Sequence, residues 1–241
     1  MLANNNEAII NKLAKNSVKT NKKQYAILFF TIILSAFMLF CVFTIGMTYL
    51  NSSRLQNTRL NGAEYDIVTM NGFTSEQLNT LQQNENIRSV GIESYAGFIQ
   101  STEYDKTVEI GLLWCDEVFW DNLMSPARTK LDGHYPQNKN ELMVTKDILK
   151  TCGNENLSVG DSLILTYENN TGVYTDEFVI SGIWDGYGDT SAGFVSKAFY
   201  DETGYDLKNN GILCIKLNCN YVFPTTIQSI EKSLDFSDRQ I

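Results

Sequence analysis

Residues 21–54 read NKKQYAILFFTIILSAFMLFCVFTIGMTYLNSSR, an uncharged run from Tyr25 to Ser53 between Lys23 and Arg54 in a chain that is otherwise polar and acidic. A helix from Ala26 to Leu50 rises about 1.5 Å per residue and reaches roughly 37 Å. That length crosses a hydrocarbon core of about 30 Å with some tilt. A cleavable signal has a shorter apolar region, about 7–15 residues, followed by small residues at the cut. Here Met47, Tyr49 and Leu50 stand where those small residues belong. A buried core helix rarely runs this far without a charge. Residues 25–50 are therefore read as a transmembrane helix.

The flanks set its direction. Lys12, Lys15, Lys19, Lys22 and Lys23 against Glu7 give residues 1–24 a formal charge of +4, and basic residues beside a span stay cytoplasmic. The expected topology is a single pass in the cell membrane, with the amino terminus inside and residues 51–241 extracytoplasmic. Against a whole-chain charge of −9, the basic leader leaves −13 on residues 51–241. So acidic an exterior excludes nucleic acid and anionic lipid as its partners, because both need clustered basic charge. Within the leader, Ile9, Ile10, Leu13 and Val18 fall among lysines with partial helical spacing. Two readings stay open for it: an amphipathic helix on the inner membrane surface, and a disordered basic segment.

The exterior segment of 191 residues is long enough for one sizeable core or two small lobes. It holds Cys115, Cys152, Cys214 and Cys219, with Cys41 inside the span. Four cysteines allow three disulfide connectivities, and buried free thiols are the other reading. Cys214 and Cys219 lie five apart in a strand-like run, so they face opposite sides and do not pair with each other. The single histidine, His134, has no cysteine or acidic partner at a metal-binding spacing, and no zinc site is expected. The chain lacks the Gly-x-Ser-x-Gly, His-Glu-x-x-His and Gly-Lys-Ser/Thr patterns. Asp116, Glu117 and Asp121 in WCDEVFWD are the one cluster resembling a carboxylate pair, and a solvated acidic turn explains them better. No catalytic, cofactor or metal residue is assigned, and the chain is not read as an enzyme.

Outward from the span, NSSRLQNTRL (51–60) has no glycine or proline before Gly62, so the helix is expected to continue as a stalk. EYDIVTMNGF is a strand with a glycine turn. TSEQLNTLQQ opens a helix on a Thr74–Gln77 capping box. IRSVGIESYAGFIQ reads as two extended pieces around Gly91, and KTVEIGLLWCDEVFW as a strand entering a short aromatic segment. Trp114, Phe119 and Trp120 there are read as core or inter-lobe packing. SPARTKLDGHYPQ reads as a turn, with ELMVT a strand and KDILKTCG a short helix closed by Gly153. SVGDSLILTY and EFVISGI are strands. WDGYGDTSAG is a hairpin-type connection, since Asp185 and Asp189 lack the further oxygen ligands of a calcium loop. Ser196 caps a short helix, GILCIKLN is a strand, and Pro224 opens a last helix. This order defines an α+β domain with helices covering a mixed sheet.

The ordered set Glu141-Leu-Met-Val, the helix ending at Gly153, Val159-Gly160-Asp161 and the strand closing on Ser181-Gly182-Ile183, behind a basic leader and a first span, resembles the FtsX-like permease family of ABC transporters. The extracytoplasmic insert of that family is the MacB-type core domain. The resemblance implies an exterior domain (61–241) of two lobes, one inserted in the other. It also implies a cytoplasmic ATP-binding subunit, a second permease copy, and a peptide, lipid or lipoprotein handled outside. No spanning segment follows residue 50, so the chain is expected to be a fragment, a truncated permease or a free-standing single-span relative. A membrane-anchored ligand-binding or adhesion domain acting alone is the alternative reading.

Overall fold

A computed structural model describes residues 6–70, 72–100, 110–187, 192–218 and 224–234. Backbone contacts divide the chain into two units, Met1–Leu55 and Gln56–Ile241. In the first, the leader forms α1 (Asn6–Thr20), with Ile9, Ile10, Leu13 and Val18 all exposed. Helix α2 (Lys22–Asn61) starts after Asn21 and contains no buried residue up to its end. At 40 residues it is about 60 Å long, and it is the one helix among the described residues long and apolar enough to cross a membrane. It stops where Gly62 takes φ 74, a conformation that other residues adopt only at a cost.

The second unit is built on nine strands. They are β1 (Ile67–Thr69), β2 (Ile87–Ile99), β3 (Ile110–Cys115), β4 (Arg128–Gly133), β5 (Glu141–Thr145), β6 (Ser162–Asn169), β7 (Gly172–Gly186), β8 (Ala192–Val195) and β9 (Gly211–Leu217). Their order across the sheet is β1-β9-β2-β3-β8-β5-β7-β4, with β6 paired to both β7 and β2. That double pairing closes a ring, because Phe98 and Ile99 at the end of β2 meet Glu168 and Tyr167 of β6. The β3–β8 and β5–β7 pairs are parallel and the other pairs antiparallel, so the sheet is mixed.

Alternation fills this ring. On β6, Leu163, Leu165 and Tyr167 are buried while Ser162, Ile164 and Thr166 are exposed, the period-two pattern of a strand with one covered face. They pack with Leu112, Leu142, Phe178 and Ile180. Helices α4 (Lys146–Thr151) and α5 (Lys197–Tyr200) close the same core with Ile148, Leu149, Phe199 and Tyr200. Each starts on a hydroxyl cap, Thr145 accepting from Ile148 N and Ser196 from Phe199 N. The other end of the sheet joins both ends of the unit. Strands β1 and β9 and the start of β2 carry α3 (Ser75–Gln82), α6 (Leu207–Asn210) and α7 (Pro224–Leu234); Leu81 of α3 and Ile230 of α7 share a core with Val90, Leu213 and Ile215, and Leu207 of α6 packs against it. The capping box on Thr74 and Gln77 is formed in both directions.

Three of the four motifs close turns, Gly153 among them at φ 71, and the fourth, at Gly182, lies inside β7. Glu141 accepts from Gln137 N, Asn138 N and Asn138 Nδ2 at 2.7, 3.1 and 2.7 Å. Asp161 accepts from Ser158 N, while Gly160 N and Asp161 O bind the backbone of Ile180. Gly182 lies opposite Gly133 where β4 ends its antiparallel pairing with β7: a Cβ on Gly182 would meet His134 O at 2.9 Å, and one on Gly133, at φ 86, would meet Ser181 O at 2.2 Å. The structure departs from the sequence reading at three places. Residues 87–99 form one strand, because bare Gly91 admits Phe119, whose Cα lies 2.9 Å from the position of a Cβ. Residues 128–133, expected as part of a turn, form edge strand β4. The expected hairpin between β7 and β8 is not one, since β5 lies between them, paired to β7 in parallel and to β8 antiparallel.

Candidate functional site

Residues 59–66, the last turn of α2 and the segment after it, are held by four contacts, all within Gln56–Ile241. Arg59, in its last turn, places its guanidinium 3.9 Å over the ring of Tyr187 and donates from Nη2 to the Tyr187 hydroxyl at 3.4 Å. Ala63, 2% exposed, plugs a core of Phe119, Trp120, Leu123 and Met124. Glu64 N donates to Leu123 O at 2.7 Å. Lys216 of β9 lies 3.0 Å from Glu64 Oε1 and 3.4 Å from Asp66 Oδ2, and Asp66 also accepts from Leu217 N at 2.9 Å. Only 17% of the Lys216 side chain is exposed, so this triad is screened less than a surface pair. A cation over an aromatic ring contributes about 0.5–1 kcal/mol when exposed and more when desolvated. Together the contacts fix residues 59–66 to β9, to the segment after β7, and to the π-helical turn Val118–Leu123.

That turn covers the outer face of the ring. Trp120 packs edge-on against Phe194 at 5.2 Å and Trp184 at 6.5 Å, with Tyr135 at 5.0 Å. Arg128 stacks on Trp120 at 4.0 Å, and burial lowers its pKa. Trp114 instead faces the ring core and stacks on Tyr200. The three aromatics singled out in the sequence thus supply burial in two different cores.

The acidic cluster separates. Asp116 Oδ1 accepts from Ile92 N at 2.9 Å and Phe119 N at 2.8 Å, so it ties β2 to the start of the π-helical turn. Burial raises its pKa against the opposing pull of those bonds. Glu117 and Asp121 are exposed. Asp185 accepts from Gly186 N, and Asp189 lies outside the described residues, as does Cys219. His134 Nδ1 bonds Tyr135 O at the exposed end of β4.

Cys115, Cys152 and Cys214 are free and buried. Cys115 stands opposite Glu93 and Cys214 opposite Gly91, on the two strands flanking β2. Two strand spacings, about 9.6 Å, exceed the roughly 7 Å limit between Cα atoms of a disulfide. Sequence reasoning did not single out Glu93. It is half-buried among Cys115, Cys214, Tyr65 and Tyr135, and burial pushes its pKa up to about 7. The same burial raises the pKa of both thiols and both tyrosines. The only signal for it was a lone carboxylate between Ile92 and Ser94 in an extended run.

Fold and site describe two units, one holding an apolar helix of membrane-spanning length and the other a mixed α+β fold. Among solved structures, the chain is similar to the periplasmic region of MacB from Actinobacillus actinomycetemcomitans, at 12% identity and TM-score 0.47, over 73% of this chain and 86% of that one. It is also similar to the extracellular domain of the noncanonic ABC-type transporter YknZ from Gram-positive bacteria, at 14% identity and TM-score 0.42, over 66% and 78%. A domain assigned to a permease protein of Porphyromonas gingivalis matches at 11% identity and TM-score 0.43, over 73% and 75%. Neither a protein-family model nor a curated protein sequence matches the chain.

Proposed function

We propose that this chain is the first span and extracytoplasmic head of a permease subunit of an FtsX-like ABC transporter, with residues 1–24 cytoplasmic. The observation carrying this reading is the helix Lys22–Asn61, unbroken from the lysine-flanked apolar run to the Arg59 contact with Tyr187. The order of motifs supports it, because Glu141, Gly153 and Asp161 each close a turn and Gly182, inside β7, lets the chain at the end of β4 approach. On this reading, ATP-driven movement at the inner face travels up the helix to the head, since a helix without proline or a bulge bends little. The head then acts on a peptide, lipid or lipoprotein. Residues 110–200 form the inserted lobe, and β1, α3, β9 and α7 the other.

The test is affinity purification of the full chain from detergent-solubilised membranes. Recovery of an ATP-binding subunit in stoichiometric amount, whose hydrolysis rate changes when two glycines are inserted after Ser52, is the expected result. A chain recovered without an ATP-binding partner would replace this reading with that of an independent membrane-anchored domain.

A further inference from the structure

The tip of the β6–β7 hairpin and the end of α5 enclose a cleft of about 290 Å³. Its walls include the rings of Tyr167, Tyr174 and Phe199, with Tyr167 centred 5.9 Å from Tyr174 and 5.3 Å from Phe199. Tyr167 and Phe199 belong to the ring core and are each 4% exposed, whereas Tyr174 is 42% exposed and forms the mouth. Its charged lining residues are Asp176, Glu202 and Lys139, and the remaining wall is asparagine and threonine.

We propose that this cleft binds the arginine side chain of an extended peptide. Two carboxylates against one ammonium leave the cleft one positive charge short. Asp176 Oδ2 accepts from the Tyr167 hydroxyl at 2.6 Å, and its other oxygen has no hydrogen bond among the described residues. Lys139 pairs with Glu202, yet those side chains are 57% and 61% exposed, and such a pair is worth at most about 1 kcal/mol. Lys139 is thus a loosely held occupant that an incoming cation displaces. A guanidinium suits the place better than an ammonium, because it stacks on a ring such as Tyr174 while its fork of donors engages two carboxylates. The volume lies at the low end for ligand sites and fits a side chain with its flanking backbone, not an acyl chain. The charge of −13 on residues 51–241 draws cationic peptides toward it.

The test uses the full chain in phosphatidylcholine nanodiscs and a fluorophore-labelled triarginine peptide, followed by anisotropy. Its tricitrulline analogue, which has the same shape without charge, is the reference. Binding of triarginine is expected to weaken about three- to fivefold with Asp176→Asn or Glu202→Gln, since both carboxylates are exposed and such a pair is worth at most about 1 kcal/mol. It should weaken several-fold with Tyr174→Leu and tighten with Lys139→Met. Asp132→Asn and Lys130→Met on β4 change the same charges more than about 20 Å away along β7 and should leave binding within twofold. Equal binding of tricitrulline, equal weakening by Asp132→Asn, or no greater tightening by Lys139→Met than by Lys130→Met would overturn the proposal. None of these outcomes depends on an ATP-binding partner.

Discussion

Glu93 yields the sharpest energetic expectation. Its pKa is about 7 in the folded chain against 4.5 for the free side chain, and burial is the cause. A carboxyl raised in this way is stabilising below its unfolded value, where both states hold the proton. As pH rises from about 4.5 to about 7, the unfolded chain releases that proton first, so stability declines across this window and levels off above it. The rise from 4.5 to about 7 corresponds to roughly 3 kcal/mol. Because the side chain keeps some contact with water, that value is an upper limit. Glu93→Gln removes the ionisation while retaining the shape. In urea titrations of the full chain in detergent micelles, the variant should exceed the parent by about 2–3 kcal/mol at pH 8 and match it near pH 4. Tryptophan fluorescence reports on the head alone, since Trp114, Trp120 and Trp184 all lie there. An identical difference at both pH values would refute the reasoning.

Gly91→Ala should destabilise the head by about 2 kcal/mol, the usual cost of overpacking, because the new Cβ would be 2.9 Å from the Phe119 backbone; the same urea titration measures it. Thr74→Ala should cost about 1 kcal/mol through loss of the α3 capping box, read as an earlier midpoint without a change in slope. Cys115, Cys152 and Cys214, buried and with pKa values raised by burial, should resist N-ethylmaleimide in the native chain and react on adding urea. Mass spectrometry of peptides after timed labelling checks this, and rapid native modification of any of the three would contradict it.

Local signals in the sequence were readable because each depends on a few neighbouring residues. The apolar run gave α2, Gly62 its end, Thr74 and Gln77 the start of α3, and Ser196 the start of α5. What escaped depends on distant partners. Strand β4 has five exposed residues of six, so no apolar alternation marks it; it exists through pairing with β7. Four-residue β8 owes its place to β3 and β5, which pair with it across about 80 and about 50 residues of sequence. Ring closure rests on two residue pairs between β2 and β6. Glu93 becomes conspicuous only when register sets it between two cysteine-bearing strands. The cleft likewise needs Lys139, Tyr174 and Glu202 brought together from three segments.

The central claim is a helix with its lysine-rich end inside and its head outside. Single cysteines placed by Lys12→Cys in the leader and Asp132→Cys on exposed β4, each in a Cys219→Ser chain, can be probed with a membrane-impermeant maleimide on intact cells. Labelling at 132 without permeabilisation, and at 12 only after it, is the expected pattern. The reverse pattern, or labelling of both only after permeabilisation, would contradict the account.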